Sequence, residues 1–396
     1  MKPKSNASAF LKLQLFCEPH PAVCAAALLA GIFFLAMPSR ATAQQPCTSR
    51  VVTVTNKAAI KDFAINEEIL RDMLMAGLMQ WTDKDTLPDA VRCLVKPGDL
   101  VGVRISTAGG PTLAVKKQIL ATLVDSMFRV GIEPRNVIVW DKKEEDMLAA
   151  KFHITTSPRN IRYLSVVPGT GFDISRFYMF EMMGQLIWGD HEFKGDKPTR
   201  EEILAESTRE AAERAAKKAG LPLPPAAQEI KRRQESAKSY FAKIASQYTT
   251  KIINLAVFSD SDTVGFEGCV AGLALASVDN TRRFQGPPMF GNPALAEILA
   301  EEPLKKKTVF HILDGMLAQY AGGPSFQPKY CKPHATLYFG TDPVAIDSMA
   351  VERADKWRAA DQLPPIKPLT QYLQTATKLG LGECDLSKVK VEHLEP

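Results

Sequence analysis

The chain has 396 residues, 45% hydrophobic and 23% charged, which excludes wholesale disorder, a collagen-like repeat and a polytopic membrane protein. Seven cysteines in that length are too few for a disulfide-built miniprotein, and the length suits one large α/β domain or two smaller ones. With 49 basic and 44 acidic residues the formal charge is +5.

The first segment reads as a leader, outside the fold. Lys2, Lys4 and Lys12 precede an apolar run over 22–37 (AVCAAALLAGIFFLAM), and Pro38-Ser39-Arg40 then leads to Ala41-Thr42-Ala43. A basic start, a short apolar stretch and an A-x-A site predict a secretory signal peptide over residues 1–43, cut before Gln44. The run falls short of the ~20 residues a spanning helix needs, and no later stretch is longer, so no stable membrane anchor is expected after cleavage. No twin arginine is present, so the route is Sec-type and the destination periplasmic or extracellular. Removing the leader leaves 45 basic and 43 acidic residues, a balance of +2. That near-neutral charge gives no argument for nucleic acid as a partner and leaves a small molecule as the expected ligand. Five cysteines remain: Cys47, Cys93, Cys269, Cys331 and Cys384. Outside the cytoplasm some could pair, and an odd count leaves one unpaired within a chain. No C-x-x-C occurs, so no iron–sulfur cluster or zinc knot is expected.

Beyond the leader, short β-rich runs alternate with helical patterns. The apolar runs predict strands over 51–54, 100–105, 136–140, 161–167, 252–258, 308–313 and 336–339. Several are continuously apolar, as strands buried on both faces are. Periodicity predicts helices over 66–80 and 112–130, the second stopping at Gly131. Asn292-Pro293 and Asp342-Pro343 each place a capping side chain before a proline. The alternation predicts an α/β fold with a mostly parallel central sheet flanked by helices. The segment 198–248 has no strand signal. Thr199-Arg-Glu-Glu202 is a capping box, its helix should stop at Gly220, and a second helix is expected after Pro222, Pro224 and Pro225, running to Tyr248. That makes an inserted helical hairpin, either a solvated excursion or a lid.

In open α/β sheets ligands bind outside the carboxyl ends of the strands, and the polar residues gather there. After 100–105 comes Ser106-Thr-Ala-Gly109-Gly110-Pro111, a glycine turn before a helix that could offer N–H groups to an anion beside Arg104. Asp141, Ser259-Asp260-Ser261-Asp262, Asp314 and Asp342 each follow a predicted strand. A single aspartate there is ordinarily a turn former or cap; four on one sheet edge suit a divalent cation, calcium or magnesium. Asp260 and Asp262 lie two apart and point the same way. If their strand neighbours the one ending at Leu313, Asp314 faces them across ~5 Å. His311 alternates with Asp314 and reads as a hydrogen-bonded core histidine. His334, in a loop before a strand, is freer to act as a ligand or general base. No G-x-S-x-G is present, which disfavours a serine hydrolase.

Four stretches resemble an uncharacterised family, domain of unknown function 362 (DUF 362). They are K-P-G-D-L-V-G-V-R over 96–104 with S-T-A-G-G-P after it, G-I-E-P-R-N-V-I-V-W-D over 131–141, H-I-L-D-G-M-L-A-Q-Y-A-G-G-P over 311–324, and G-T-D-P-V-A-I-D over 340–347. The resemblance implies one α/β domain over 44–396, often exported, with no agreed activity. Family members often carry lysine and histidine where this chain has Ser259, Asp260 and Ser261, and L-K-N where it has Val270-Ala271-Gly272. Two functions therefore stay open. One is a binding protein for a small anionic or polar ligand, held by Arg104, Ser106, Gly109, Gly110, Ser259 and Ser261. The other is a metal-assisted enzyme with Asp260, Asp262 and Asp314 at the metal and His334 or Asp314 as catalytic group.

Overall fold

The computed structural model describes residues 49–222 and 234–396, and the leader with its cleavage site lies outside them. The strands, in chain order, are β1 (Arg50–Thr55), β2 (Ile60–Lys61), β3 (Ala64–Ile65), β4 (Val101–Ile105), β5 (Val137–Lys143), β6 (Arg162–Val167), β7 (Phe172–Gln185), β8 (Glu235–Ala242), β9 (Lys251–Ser261), β10 (Gly265–Phe266), β11 (Thr308–Gln319), β12 (Cys331–Gly340) and β13 (Lys390–Leu394). Nine form one sheet in the order β13-β1-β12-β11-β9-β4-β5-β6, with β10 on the end of β9. Along that path only β12 runs against its neighbours. The expected α/β fold with a mostly parallel sheet is therefore present. β4 is buried at every position, as its unbroken apolar run requires.

The helices are α1 (Glu67–Thr82), α2 (Leu87–Leu94), α3 (Gly110–Leu113), α4 (Lys117–Arg129), α5 (Glu144–Ala149), α6 (Arg200–Ala219), α7 (Cys269–Ser277), α8 (Ala294–Ala300), α9 (Glu302–Lys305), α10 (Pro343–Ala360) and α11 (Tyr372–Lys378). They divide between two cores. One face of the sheet packs α1, α2 and α4 against residues such as Val103, Val139, Leu255 and Ile312. The other packs α7, α8, α10 and α11 against Ile138, Ile252, Phe258 and Leu313. Every residue of α7 is buried, which is the environment a helix apolar on all sides requires. No helix among the described residues is long and apolar enough to cross a membrane.

Three local expectations need correction. The helix predicted over 112–130 is two helices, broken between Leu113 and Lys117 where the Lys116 N–H turns to Asp314 Oδ2 at 3.0 Å. Asn292 caps nothing: its Oδ1 accepts from Thr375 Oγ1 at 2.7 Å, and α8 starts without a side-chain cap. The inserted helical hairpin is half right. Its capping box forms, with the Thr199 N–H 2.8 Å from Glu202 Oε2 and the Glu202 N–H 3.2 Å from Thr199 Oγ1. Gly220 follows α6 at φ +65°. The described part of the second half, 234–248, is not one helix running to Tyr248 but β8, antiparallel to β7, followed by a single π-helical turn over Ile244–Tyr248. Tyr240, Phe241 and Ala242 of β8 join the α7 core; tertiary burial overrides the helix-forming composition of that segment.

Candidate functional site

Because β1, β4, β5, β6, β9 and β11 run the same way, their carboxyl ends meet at one edge, where the start of antiparallel β12 also lies. Asp342 follows the carboxyl end of β12 and sits at the opposite edge, so the four acidic strand ends do not share an edge. Asp342 is a cap, accepting from the Ala345 N–H at 2.8 Å.

The Arg104 region is closed rather than open to an anion. Arg104 is 3% exposed; Nη1 donates to Ser106 Oγ at 2.7 Å and Nη2 lies 3.7 Å from Asp141 Oδ1. Asp141 Oδ2 accepts from the Thr107 N–H at 2.9 Å and from Thr107 Oγ1 at 2.5 Å. Gly272 of α7 lies over the guanidinium, and a Cβ there would stand 2.8 Å from Nη1. The Gly109-Gly110 turn leads into α3, only four residues long, and the Gly110 N–H is bonded to Thr107 O. Arg104 and Ser106 are thus bonded to each other, but the guanidinium is enclosed, turned to Ser106 and Asp141 through Nη1 and Nη2 and with its buried Nε left without a partner.

The aspartates predicted to gather at a metal do not. Asp314 stands beside Val257 in the β11–β9 register, so it points to the α4 side, where Lys116 and Met316 amides engage its two oxygens. Asp260, three residues beyond Val257, points to the other face. Its Oδ1 accepts from the Gly323 N–H at 2.9 Å and Gln319 Nε2 at 3.4 Å. Burial pushes the Asp260 carboxyl up to about 6. Asp262 is exposed. Ser259 Oγ bonds Asp260 O, and Ser261 Oγ bonds Thr263 Oγ1, so neither serine is presented to a ligand. Among the described residues no group of three or more His, Cys, Asp or Glu is arranged for a metal ion. Cys93, Cys269, Cys331 and Cys384 are all unpaired.

The residues that do converge line a cleft of about 210 Å³ at the carboxyl edge, between α10 and the β13–β1–β12 end of the sheet. Thr53 and Thr55 of β1 reach it from one strand face. Thr53 Oγ1 is 2.6 Å from His393 Nδ1 of β13, and Thr55 Oγ1 is 2.9 Å from Thr336 Oγ1 of β12. His334 Nε2 is 2.7 Å from Tyr338 Oη, with the imidazole packed against Trp357 and Phe258. Burial first, and Arg353 second, push His334 down to about 4, while burial pushes the Tyr338 phenol up. At neutral pH the ring is neutral and the phenol protonated. Arg353, Lys356 and Glu352 of α10 form the outer wall, and Lys356 is paired with Glu352 at 3.0 Å. Arg353 has no ion-pair partner among the described residues.

Of the expected residues, His334 alone reaches this cleft. The catalytic alternative Asp314 lies on the other face of the sheet. Thr53-Val54-Thr55 carried a sequence signal, two hydroxyls on one strand face. His393 and Arg353 carried none, because β13 and the exposed side of α10 become neighbours only in the fold.

No family model matches the chain, and no curated protein matches it. Among solved structures it is similar to a protein from Thermotoga maritima, a structural-genomics target. The identity is 11% over 77% of this chain and 61% of that one, with a TM-score of 0.34. The chain therefore spans less than two thirds of that structure's length.

Proposed function

We propose that this protein binds a small anionic or polar ligand in the carboxyl-edge cleft, with Arg353 as the charged anchor and Tyr338 and the threonine hydroxyls as hydrogen-bond partners. The observation that carries the reading is Arg353 itself, a cation with no paired carboxylate, beside a neutral His334–Tyr338 pair. An imidazole pushed down to about 4 is a poor general base at neutral pH, where an effective one titrates near 7. That favours binding over catalysis. The four DUF 362-like motifs are in keeping with this reading. Where relatives often carry lysine and histidine, Ser259, Asp260 and Ser261 are buried. Inorganic phosphate and malonate are suitable probes by calorimetry. Arg353→Ala is expected to weaken binding about tenfold or more, the loss of one charge-assisted contact, and exposed Lys57→Ala to leave it unchanged. Equal binding by both variants would remove the cleft as the site. Export belongs to the same proposal, and N-terminal sequencing of the exported protein should read from Gln44.

A further inference from the structure

A second cavity, of about 220 Å³, lies at the opposite edge of the sheet and shares no lining residue with the cleft. Leu299, Leu304 and Leu381 form an apolar wall, and Lys305, Thr341 and His311 contribute the polar groups. The volume is far above the ~10–15 Å³ one water requires.

His311 decides what the cavity accepts. Its side chain is 3% exposed, and burial pushes it down to about 3, so the ring is neutral. Asn254 Nδ2 lies 3.1 Å from Cys269 O and 3.2 Å from His311 Nδ1. A carbonyl only accepts, so the Asn254 amide must turn its NH2 towards Cys269, and the same NH2 donates to Nδ1. The ring proton is therefore on Nε2, an assignment made from the hydrogen-bond network. Nε2–H has no partner among the described residues. Thr308, which also lines the cavity, has a buried Oγ1 that is likewise unpartnered. Lys305 stands at the mouth, its ammonium 3.4 Å from Leu379 O. Asp342 is turned away, both oxygens engaged by the amides of Ala345 and Glu383. An unpaired ring donor lining the cavity, a cation at the mouth and an aliphatic wall together ask for an oxygen acceptor on a short alkyl chain.

We propose that this cavity is a second binding site, for a short-chain aliphatic carboxylate whose oxygens accept from His311 Nε2–H and face Lys305 while its alkyl tail lies on the leucines. The test follows the His311 imidazole nitrogens by NMR in the full chain labelled with ¹⁵N-histidine, titrated with butyrate. Butyrate should shift the Nε2 signal saturably, and butylammonium should not. Lys305→Met should weaken butyrate about tenfold, the scale of one charge-assisted contact. Thr341 is exposed at the rim, so Thr341→Trp should fold and block the shift. A His311 signal that does not move at saturating butyrate would overturn the site. So would a shift that survives Thr341→Trp, or one that butylammonium reproduces.

Discussion

Two buried charged residues, Asp347 and Arg104, show how isolated groups are tied into the core. Asp347 is 0% exposed, and its oxygens accept from the Cys269 and Val270 N–H groups at 2.7 and 2.8 Å. It thus caps α7 from α10, eliminating two orphan donors of the helix start. Burial pushes its carboxyl up to about 7, against the opposing pull of those two amides. A carboxyl raised on folding adds stability that is full below its unfolded value near 3.8 and is lost as pH rises through about 7. Asp260 and Asp279, both raised by burial to about 6, act in the same direction. Asp347→Asn is expected to flatten the fall in melting temperature between pH 4 and 7, because it keeps an acceptor and removes the buried charge. Asp347→Ala leaves two donors unpaired and should cost about 1–3 kcal/mol at pH 4, and less as pH rises through about 7, where the parent loses the contribution of its buried carboxyl. A pH profile of thermal unfolding identical for Asp347→Asn and the parent would refute this. Arg104 makes the complementary case. Arg104→Ala strands Asp141 in the interior and should destabilise by about 3–5 kcal/mol, the range for breaking a buried pair from one side. Denaturant unfolding measures this directly. The sequence grouped Arg104 with Ser106 and the glycine turn as an anion site and left Asp141 apart, but a cation's accessibility depends on what packs over it, here Gly272 from a helix 168 residues away in the chain.

Elements were legible in proportion to how much of their burial is encoded locally. The seven predicted strands are all present, since each is an apolar run, but β9, β11 and β12 extend well past the apolar stretch. Their polar extensions, such as Ser259, Asp260 and Gln319, are held by partner strands and loops, which no local pattern reveals. β7 and β8 were missed for the same reason: β7 leaves Ile174 72% and Met179 56% exposed on its outer face and lacks a clean alternation. The insertion therefore has a dispensable and an indispensable part. Leu186 N–H bonds Gln234 O at 2.8 Å, and Lys194 and Gln234 exchange two bonds of 2.6 Å, so the ends of the excursion are already joined. Replacing 198–233 by a short Gly/Ser linker should leave cooperative unfolding and shift the melting temperature by only a few degrees, since loop length costs little. Replacing 198–248 removes Tyr240, Phe241, Ile244 and Ala245 from the core and should abolish cooperative folding. Calorimetry of the two deletions separates the outcomes, and equal tolerance would mean that β8 contributes nothing to the core.

At the scale of the whole molecule, the two ends of the described chain close the sheet together, and the cleft depends on that closure. β13 lies parallel to β1, and Arg50 fastens them. Its Nε and Nη2 reach Glu392 at 3.0 Å each, and its Nη1 and Nη2 reach Asp83 at 2.8 and 2.9 Å. The hydrogen bonds from Arg50, with those of Lys390 and Gln80, hold Glu392 down at about 2. A carboxylate depressed on folding contributes stability that is complete above its unfolded value near 4.5 and is lost as pH falls through about 2. Glu392→Gln should therefore cost about 1 kcal/mol at pH 7 and progressively less as pH falls through about 2, its unfolding curve converging on the parent as acid is added. The next residue in β13, His393, is bonded to Thr53 in the cleft wall, so the clasp and the proposed ligand site are coupled. Phosphate binding in Glu392→Gln should weaken while the β11 and β9 core, measured by hydrogen exchange, keeps its protection. A chain ending at Val389 should fold less stably and bind no phosphate. Undiminished phosphate binding by that shortened chain would place the ligand away from β13 and sever the link between closure and function.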